Sequence, residues 1–256
     1  MLLALLQLST LNFQLSTCQA AVITDSLQSS VLGVTKYYNV YLPPSFQRNP
    51  LAIYPVLFLL HGLTDNHRAW LEKGQMDRVL DELIGSGEIP QMVVIMPNAG
   101  DSDTRRIWNG YFNMPGWRYE DFFFQELLPT AEAKYRAGGS KEQRAIAGLS
   151  MGGMQTRHIS LNYPGVFSQI GIFSGGVISA ADIEQHPEFK KDNKLTFISY
   201  GSREVENPRG QAPKETVEEI KSKGVNAVYY ESPLTAHEWQ TWRRSLYEFA
   251  PLLFRK

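Results

Sequence analysis

The sequence predicts an α/β fold: a mostly parallel central sheet flanked by helices. Three observations predict it. Short, near-continuous apolar runs such as "YPVLFLLHG" (54–62) and "QMVVIMPNAG" (91–100) have strand length and little polar alternation. That is the pattern of strands buried on both faces. These runs alternate along the chain with segments of helical periodicity, and such alternation builds parallel sheets through right-handed crossovers. From about residue 21 to 256, nothing reads as a linker, a repeat or a low-complexity tract. We therefore expect one domain over 21–256, long enough to bury a core without disulfide or metal support.

The elements follow in order. "KYYNVYLP" (36–43) is β-rich and ends at Pro43-Pro44, so it reads as a strand. The run 54–62 is the first fully buried strand. "MDRVLDELIGSG" (76–87) has helical apolar spacing and stops at Gly85 and Gly87. The run 91–100 is the next strand. "EDFFFQELLPTAEAKYR" (120–136) is amphipathic and helical, and Pro129 should bend or restart it. A short strand at 144–147 leads into a helix over 151–163, which "NYP" ends. "FSQIGIFSGG" (167–176) and "NKLTFISYGS" (193–202) read as strands. A helix near 213–223, the strand "AVYYES" (227–232) and a helix from about Trp239 complete the chain.

Composition excludes several functions. The 25 basic and 26 acidic residues give a formal charge of −1, and no basic run exceeds two residues. Nothing here is a nucleic-acid footprint. The single cysteine, Cys18, allows neither an internal disulfide nor a thiolate zinc site. The five histidines (His61, His67, His158, His186, His237) show no close ligand spacing, so no metal and no cofactor is expected. The first twenty residues carry no charge. Their apolar stretch is too short to span a bilayer and ends near "STCQAA". Residues 1–20 are read as a signal peptide and the protein as secreted or periplasmic. Against this stand the missing basic n-region, an alternative N-terminal strand or helix docked on the domain, and a loose likeness to a lipobox around Thr17 and Cys18.

"GLSMG" (148–152) has the form Gly-x-Ser-x-Gly. A chain of this length shows that pattern by chance about one time in ten, given ordinary Gly and Ser frequencies. The context decides. Ser150 falls on the junction between a predicted strand and a predicted helix. A sharp turn there lifts the hydroxyl above the sheet edge, and glycines on both sides let the backbone pass closely. Ser150 is thus the candidate nucleophile, needing a base to take its proton.

In this architecture the acid and the histidine follow the serine in that order. His237 lies directly after the last strand, at the sheet edge where open α/β sheets gather their sites. It is the candidate base, and His186 reads as a surface-loop histidine. The acid should follow the strand ending in "SYGS". Glu204 is the first choice, with Glu206, Asp182, Asp192 or no acid as alternatives. An oxyanion hole would use the N–H of Met151, after the nucleophile, and that of Leu63, after Gly62. His61 reads as a buried brace for that loop, or else as a substrate contact.

With these residues in place, the chain resembles the putative esterase family of α/β-hydrolases. That family includes esterase D (S-formylglutathione hydrolase), enterochelin esterases, mycolyltransferases and carbohydrate esterase family 1. The resemblance rests on "YNVYLPPSF", "PVLFLLHGLTDNHRAW", "VVIMPNAG", "EDFFFQELLPTAEAKYR", "AIAGLSMGGMQT", "YPGVFSQIGIFSGG" and "HEWQTWR", spread over about residues 30 to 250. The tail "HEWQTWR" looks most like the feruloyl and acetylxylan esterases of carbohydrate esterase family 1. The resemblance implies Ser150, His237 and the hole at Leu63 and Met151. Members usually have Gly-x-x-Asp where this chain has "GSRE", which puts a glutamate at the acid position. Many have Gly-Gly-His where this chain has "TAH". Esterase D usually carries a cysteine in the loop where this chain has Asp65, which argues against a glutathione thioester.

The resemblance implies a secreted serine carboxylesterase that releases hydroxycinnamoyl groups, feruloyl foremost, from plant cell-wall polysaccharide such as xylan. The partner would be a feruloylated or acetylated polysaccharide or oligosaccharide. Trp108, Trp117 and Trp239 are the candidate substrate-binding residues, since aromatic rings can stack on a cinnamoyl ring or a sugar face. Each could equally pack in the core or a lid. Alternatives are an acetylxylan esterase, an S-formylglutathione hydrolase-like thioesterase, an acyltransferase, and a catalytically silent carbohydrate-binding relative.

Overall fold

The computed structural model describes residues 20–99, 118–206 and 212–255. The expected leader lies outside them, apart from Ala20. The described strands are β1 (Ala21–Gln28), β2 (Thr35–Leu42), β3 (Val56–Leu60), β4 (Val93–Pro97), β5 (Arg144–Leu149), β6 (Gln169–Phe173), β7 (Leu195–Gly201) and β8 (Ala227–Ser232). They form one eight-stranded sheet in the order β1-β2-β4-β3-β5-β6-β7-β8. β1 and β2 pair antiparallel, as do β2 and β4. Every pairing from β4 through β8 is parallel. The helices are α1 (Ala69–Glu72), α2 (Met76–Gly85), α3 (Tyr119–Phe122), α4 (Leu128–Tyr135), α5 (Met151–Asn162), α6 (Ala180–Gln185), α7 (Pro187–Asp192), α8 (Ser202–Val205), α9 (Pro213–Ser222) and α10 (Trp239–Phe249). This is the α/β-hydrolase arrangement, a mixed sheet between helices.

The apolar runs behave as strands buried on both faces. Successive side chains of a strand point to opposite faces, and the core accordingly divides in two. Val56, Phe58 and Leu60 join one cluster with Val93, Ile95 and Ile146. Leu57 and Leu59 join the other with Val94, Met96, Ala145 and Ala147. All five residues of β3 are at most 1% exposed. At roughly 1.5–3 kcal/mol for each large aliphatic or aromatic side chain, these central strands hold the sheet in register.

Pro129 acts as its chemistry requires. It has no N–H to bond the carbonyl of Gln125, four residues earlier. The chain leaves α3 through a π turn at Phe123–Leu127, and α4 restarts at Leu128 with the proline in its first turn. The Leu128 N–H bonds the Phe123 carbonyl, five residues back.

Some elements have no counterpart in the sequence reading. β1 is mostly exposed, so it lacks the buried pattern that marks the central strands. The short helices α1, α6, α7 and α8 span only four to six residues each, too few for periodicity to register. Among the described residues, no helix is long and apolar enough to cross a membrane.

Candidate active site

Five parallel strands end at one edge of the sheet, and each delivers a residue to the same place. β3 leads into His61, Gly62 and Leu63; β5 into Ser150; β6 into Ser174; β7 into Glu204; β8 into His237. Parallel strands put all their carboxyl ends on one side, which is why distant segments meet there.

Ser150 occupies a single-residue corner between β5 and α5. Its N–H donates to the Phe173 carbonyl at 2.8 Å, extending the strand ladder. Its own carbonyl accepts from the Met154 N–H at 3.0 Å, the first bond of the helix. Making this corner takes φ +50° and ψ −115°, a region that side chains disfavour. The corner also explains the flanking glycines. A Cβ at Gly148 would sit 2.4 Å from the Gly152 carbonyl carbon, and one at Gly152 would sit 2.6 Å from the His61 carbonyl oxygen.

His237 Nε2 lies 2.9 Å from Ser150 Oγ. Its Nδ1 lies 2.7 Å from Glu204 Oε1. A carboxylate only accepts hydrogen bonds, so Nδ1 carries the proton and Nε2 is left as the acceptor facing the serine. The carboxylate is largely covered, whereas about half of the imidazole is exposed (13% and 49%). Burial by itself would raise the Glu204 carboxyl. Hydrogen bonds from His237, the Gly201 N–H and Ser174 outweigh that and hold it below the usual glutamate value.

The loop that carries His237 is tied to the helix that carries Glu204. The Arg203 N–H donates to the Thr235 carbonyl at 2.9 Å, and the Leu234 N–H to Ser202 Oγ at 2.9 Å. Thr235, the first residue of "TAH", is 1% exposed, and its Oγ1 accepts from Thr241 at 2.7 Å. Thr235 does not have a left-handed φ, so its backbone does not call for glycine.

Gly62 follows β3 against the corner, and a Cβ there would lie 3.6 Å from Ser150 Cβ. Leu63 comes next in that loop. Met151 is the first residue of α5, where an N–H has no intrahelical acceptor. The His61 imidazole braces the loop. Its Nδ1 meets the Gly62 carbonyl at 2.8 Å, and its Nε2 accepts from the Ala99 N–H at 2.9 Å. Burial lowers its pKa and keeps the ring neutral, as this donor–acceptor pattern requires.

Of the alternative acids, Asp182 and Asp192 are engaged elsewhere, and Glu206 is exposed. Asp182 caps α6 and pairs with Arg157. Asp192 pairs with Lys141. Glu206 follows α8, and its N–H donates to the Ser202 carbonyl. His186 sits between α6 and α7, its N–H bonded to the Asp182 carbonyl. Trp239 packs edge-to-face between Trp70 and Trp242, with centroids 5.3 Å apart in each pair. Trp108 and Trp117 lie outside the described residues. Among the described residues, no cluster of His, Cys, Asp or Glu could hold a metal ion.

Two residues at this site were not singled out from sequence. Ser174 Oγ donates to Glu204 Oε2 at 2.8 Å, and Trp242 stands edge-on to the His237 ring at 5.1 Å. The "FSGG" and "HEWQTW" stretches hold them, but nothing in either stretch names the partner.

A family model described as "Putative esterase" matches residues 29–253. The endo-1,4-beta-xylanase/feruloyl esterase of Xylanibacter ruminicola is 35% identical over 231 residues, covering 89% of this chain and 30% of that protein. Endo-1,4-beta-xylanase Y of Acetivibrio thermocellus is 25% identical over 267 residues, covering 93% of this chain and 24% of that protein. The chain thus spans less than a third of the length of either relative. A solved ferulic acid esterase is 31% identical with a TM-score of 0.77, covering 93% of this chain and 98% of that one.

Proposed function

This chain belongs to the putative esterase family, and from that premise we propose that it releases hydroxycinnamoyl groups, feruloyl foremost, from plant cell-wall polysaccharide such as xylan. It is a carboxylic ester hydrolase of the feruloyl esterase-like kind. The observation that carries the proposed mechanism is the hydrogen-bonded line Ser150–His237–Glu204. The acyl preference is supported by the likeness to the ferulic acid esterase and to the xylanase/feruloyl esterase.

In this reading Ser150 Oγ attacks the ester carbonyl carbon while His237 Nε2 takes its proton. Glu204 holds the imidazole in the required tautomer and stabilises the imidazolium that forms. The N–H groups of Leu63 and Met151 bind the oxyanion. The C–O bond to the sugar then breaks, and His237 returns the proton to the departing hydroxyl. Water, deprotonated by the same histidine, attacks the acyl-enzyme, releases ferulate and restores Ser150. Trp239, packed against Trp70 and Trp242, is the candidate aromatic surface for the cinnamoyl ring or a sugar face.

The uncharged residues 1–20 support secretion or export to the periplasm. N-terminal sequencing of the exported protein tests that part: a start near residue 21 agrees, and an intact Met1 overturns it. Initial rates on methyl ferulate and 4-nitrophenyl acetate test the substrate. Turnover of ferulate supports the reading, and turnover of acetyl ester alone moves the enzyme to acetylated xylan.

A further inference from the structure

Around the glutamate runs a second set of hydrogen bonds that the mechanism above does not use. The Trp242 indole N–H donates to Ser174 Oγ at 3.1 Å. Ser174 Oγ lies 2.8 Å from Glu204 Oε2, and the Gly201 N–H donates to the same Oε2 at 2.7 Å. The direction of this chain is fixed by chemistry. An indole N–H can only donate and an ionised carboxylate can only accept. The one hydroxyl proton of Ser174 therefore points at Glu204, because Trp242 already occupies the acceptor side of its oxygen.

We propose that Ser174, oriented by Trp242, is a positioning residue that aims the Glu204 carboxylate at His237. The proposal rests on the reading of Glu204 as the triad acid. Two further observations support it. A glutamate has one more rotatable bond than the aspartate usual at this position, and so more freedom to lose on being held in one pose. Here the Gly201 N–H and the Ser174 hydroxyl both fasten Oε2, leaving Oε1 alone to meet Nδ1. In addition, Ser174 has a φ of +51°, in a stretch whose next two residues are glycine. A glycine at 174 would meet that backbone geometry without strain. What the serine adds at that position is its hydroxyl, and the hydroxyl is spent on the acid. Ser174 is 8% exposed, so the bond is shielded from competing water.

The test compares kcat and KM on methyl ferulate and 4-nitrophenyl acetate for the full chain and five variants: Ser174→Ala, Ser174→Gly, Trp242→Phe, Glu204→Ala and the double Ser174→Ala/Glu204→Ala. Both Ser174 variants are expected to lose roughly tenfold in kcat, as for one hydrogen bond to a charged group, with KM held within about twofold. Ser174→Gly should melt no lower than Ser174→Ala, since glycine relieves the backbone, so its lost activity cannot be assigned to unfolding. Trp242→Phe keeps a ring against His237 but loses the N–H, and kcat should fall in the same direction. In the Glu204→Ala background, Ser174→Ala should cost nothing further beyond about twofold, because its effect passes through the carboxylate. Full kcat in both Ser174 variants overturns the proposal, as does a tenfold loss that persists in the double variant. Wild-type kcat in Glu204→Ala alone would instead overturn the acid assignment beneath it.

Discussion

Ser150 Oγ and His237 Nε2 stand 2.9 Å apart across 87 residues of sequence, and the serine reaches that position with a left-handed backbone at φ +50°. Function and stability should therefore separate at this residue. Ser150→Ala is expected to lower kcat on methyl ferulate by roughly 10⁴-fold or more. Ser150→Gly should be equally inactive yet more stable than Ser150→Ala by about 1 kcal/mol, because relief of strain exceeds the added freedom of the unfolded chain. Urea unfolding of the two variants checks the second claim, and an alanine variant as stable as the glycine one would mean that the corner stores no strain.

Two glutamates follow β7, and only one meets the histidine. Glu204→Ala should cut kcat by roughly 10³-fold or more, since the imidazole loses both its tautomer control and its counter-charge. Glu206→Ala should leave kcat within about twofold of wild type, as expected of a surface change away from the site. Parallel kinetics on the two variants decide the assignment, and the reverse ranking would transfer the acid role to Glu206.

The residues that were legible in the sequence are those whose neighbours along the chain reveal them. "VLFLL" and "VVIMP" announce buried strands, and Ser150 is marked by its own flanking glycines. The meeting of His237 and Glu204 with Ser150 could be anticipated because a strand precedes each and the order of the three is constrained. Ser174 was missed because its partners, Glu204 and Trp242, lie 30 and 68 residues away; no local pattern encodes such a bond. β1 was missed because an exposed edge strand lacks the apolar run that marks β3 and β4. Pro129 gave a break in the helix, but its form as a π turn depends on how the backbone relaxes around the missing N–H.

The glycines beside the nucleophile carry a prediction that involves no catalytic group. The Cβ of a Gly148→Ala variant would stand 2.4 Å from a backbone carbon, and that of Gly152→Ala 2.6 Å from a backbone oxygen. Backbone cannot step aside as a flexible side chain can, so each substitution should cost at least roughly 1–3 kcal/mol. Gly85→Ala is the control: space is open there, and alanine is the better helix former by about 1 kcal/mol. Melting temperatures should fall for the first two and hold or rise for the third. An unchanged melting temperature in Gly148→Ala would mean that β5 and α5 can separate at the corner without loss.

At the far edge of the sheet, Asp25 on β1 fastens the first hairpin to α4. Its Oδ2 accepts from Tyr38 and from Lys134, both at 2.6 Å, and from Tyr135; its Oδ1 accepts from the Ser26 N–H at 2.8 Å. Burial alone would raise this carboxyl, but the bonds from Lys134, Tyr135, Tyr38 and Ser26 prevail and hold it well below the usual aspartate value. A carboxyl whose folded pKa is depressed stabilises the fold above its unfolded pKa of about 3.9, and that contribution is lost as pH falls toward the folded pKa. Asp25→Asn removes the titrating group, so it should destabilise the protein at pH 7 and make less difference at pH 3. Glu120, Asp182 and Glu204 are also held below their usual values, so wild type and variant will both weaken in acid. The informative quantity is the gap between them, from urea unfolding at the two pH values. A gap that narrows in acid identifies Asp25 as an ionised clasp, and a gap of constant size would mean that its carboxyl titrates alike in the folded and unfolded chain.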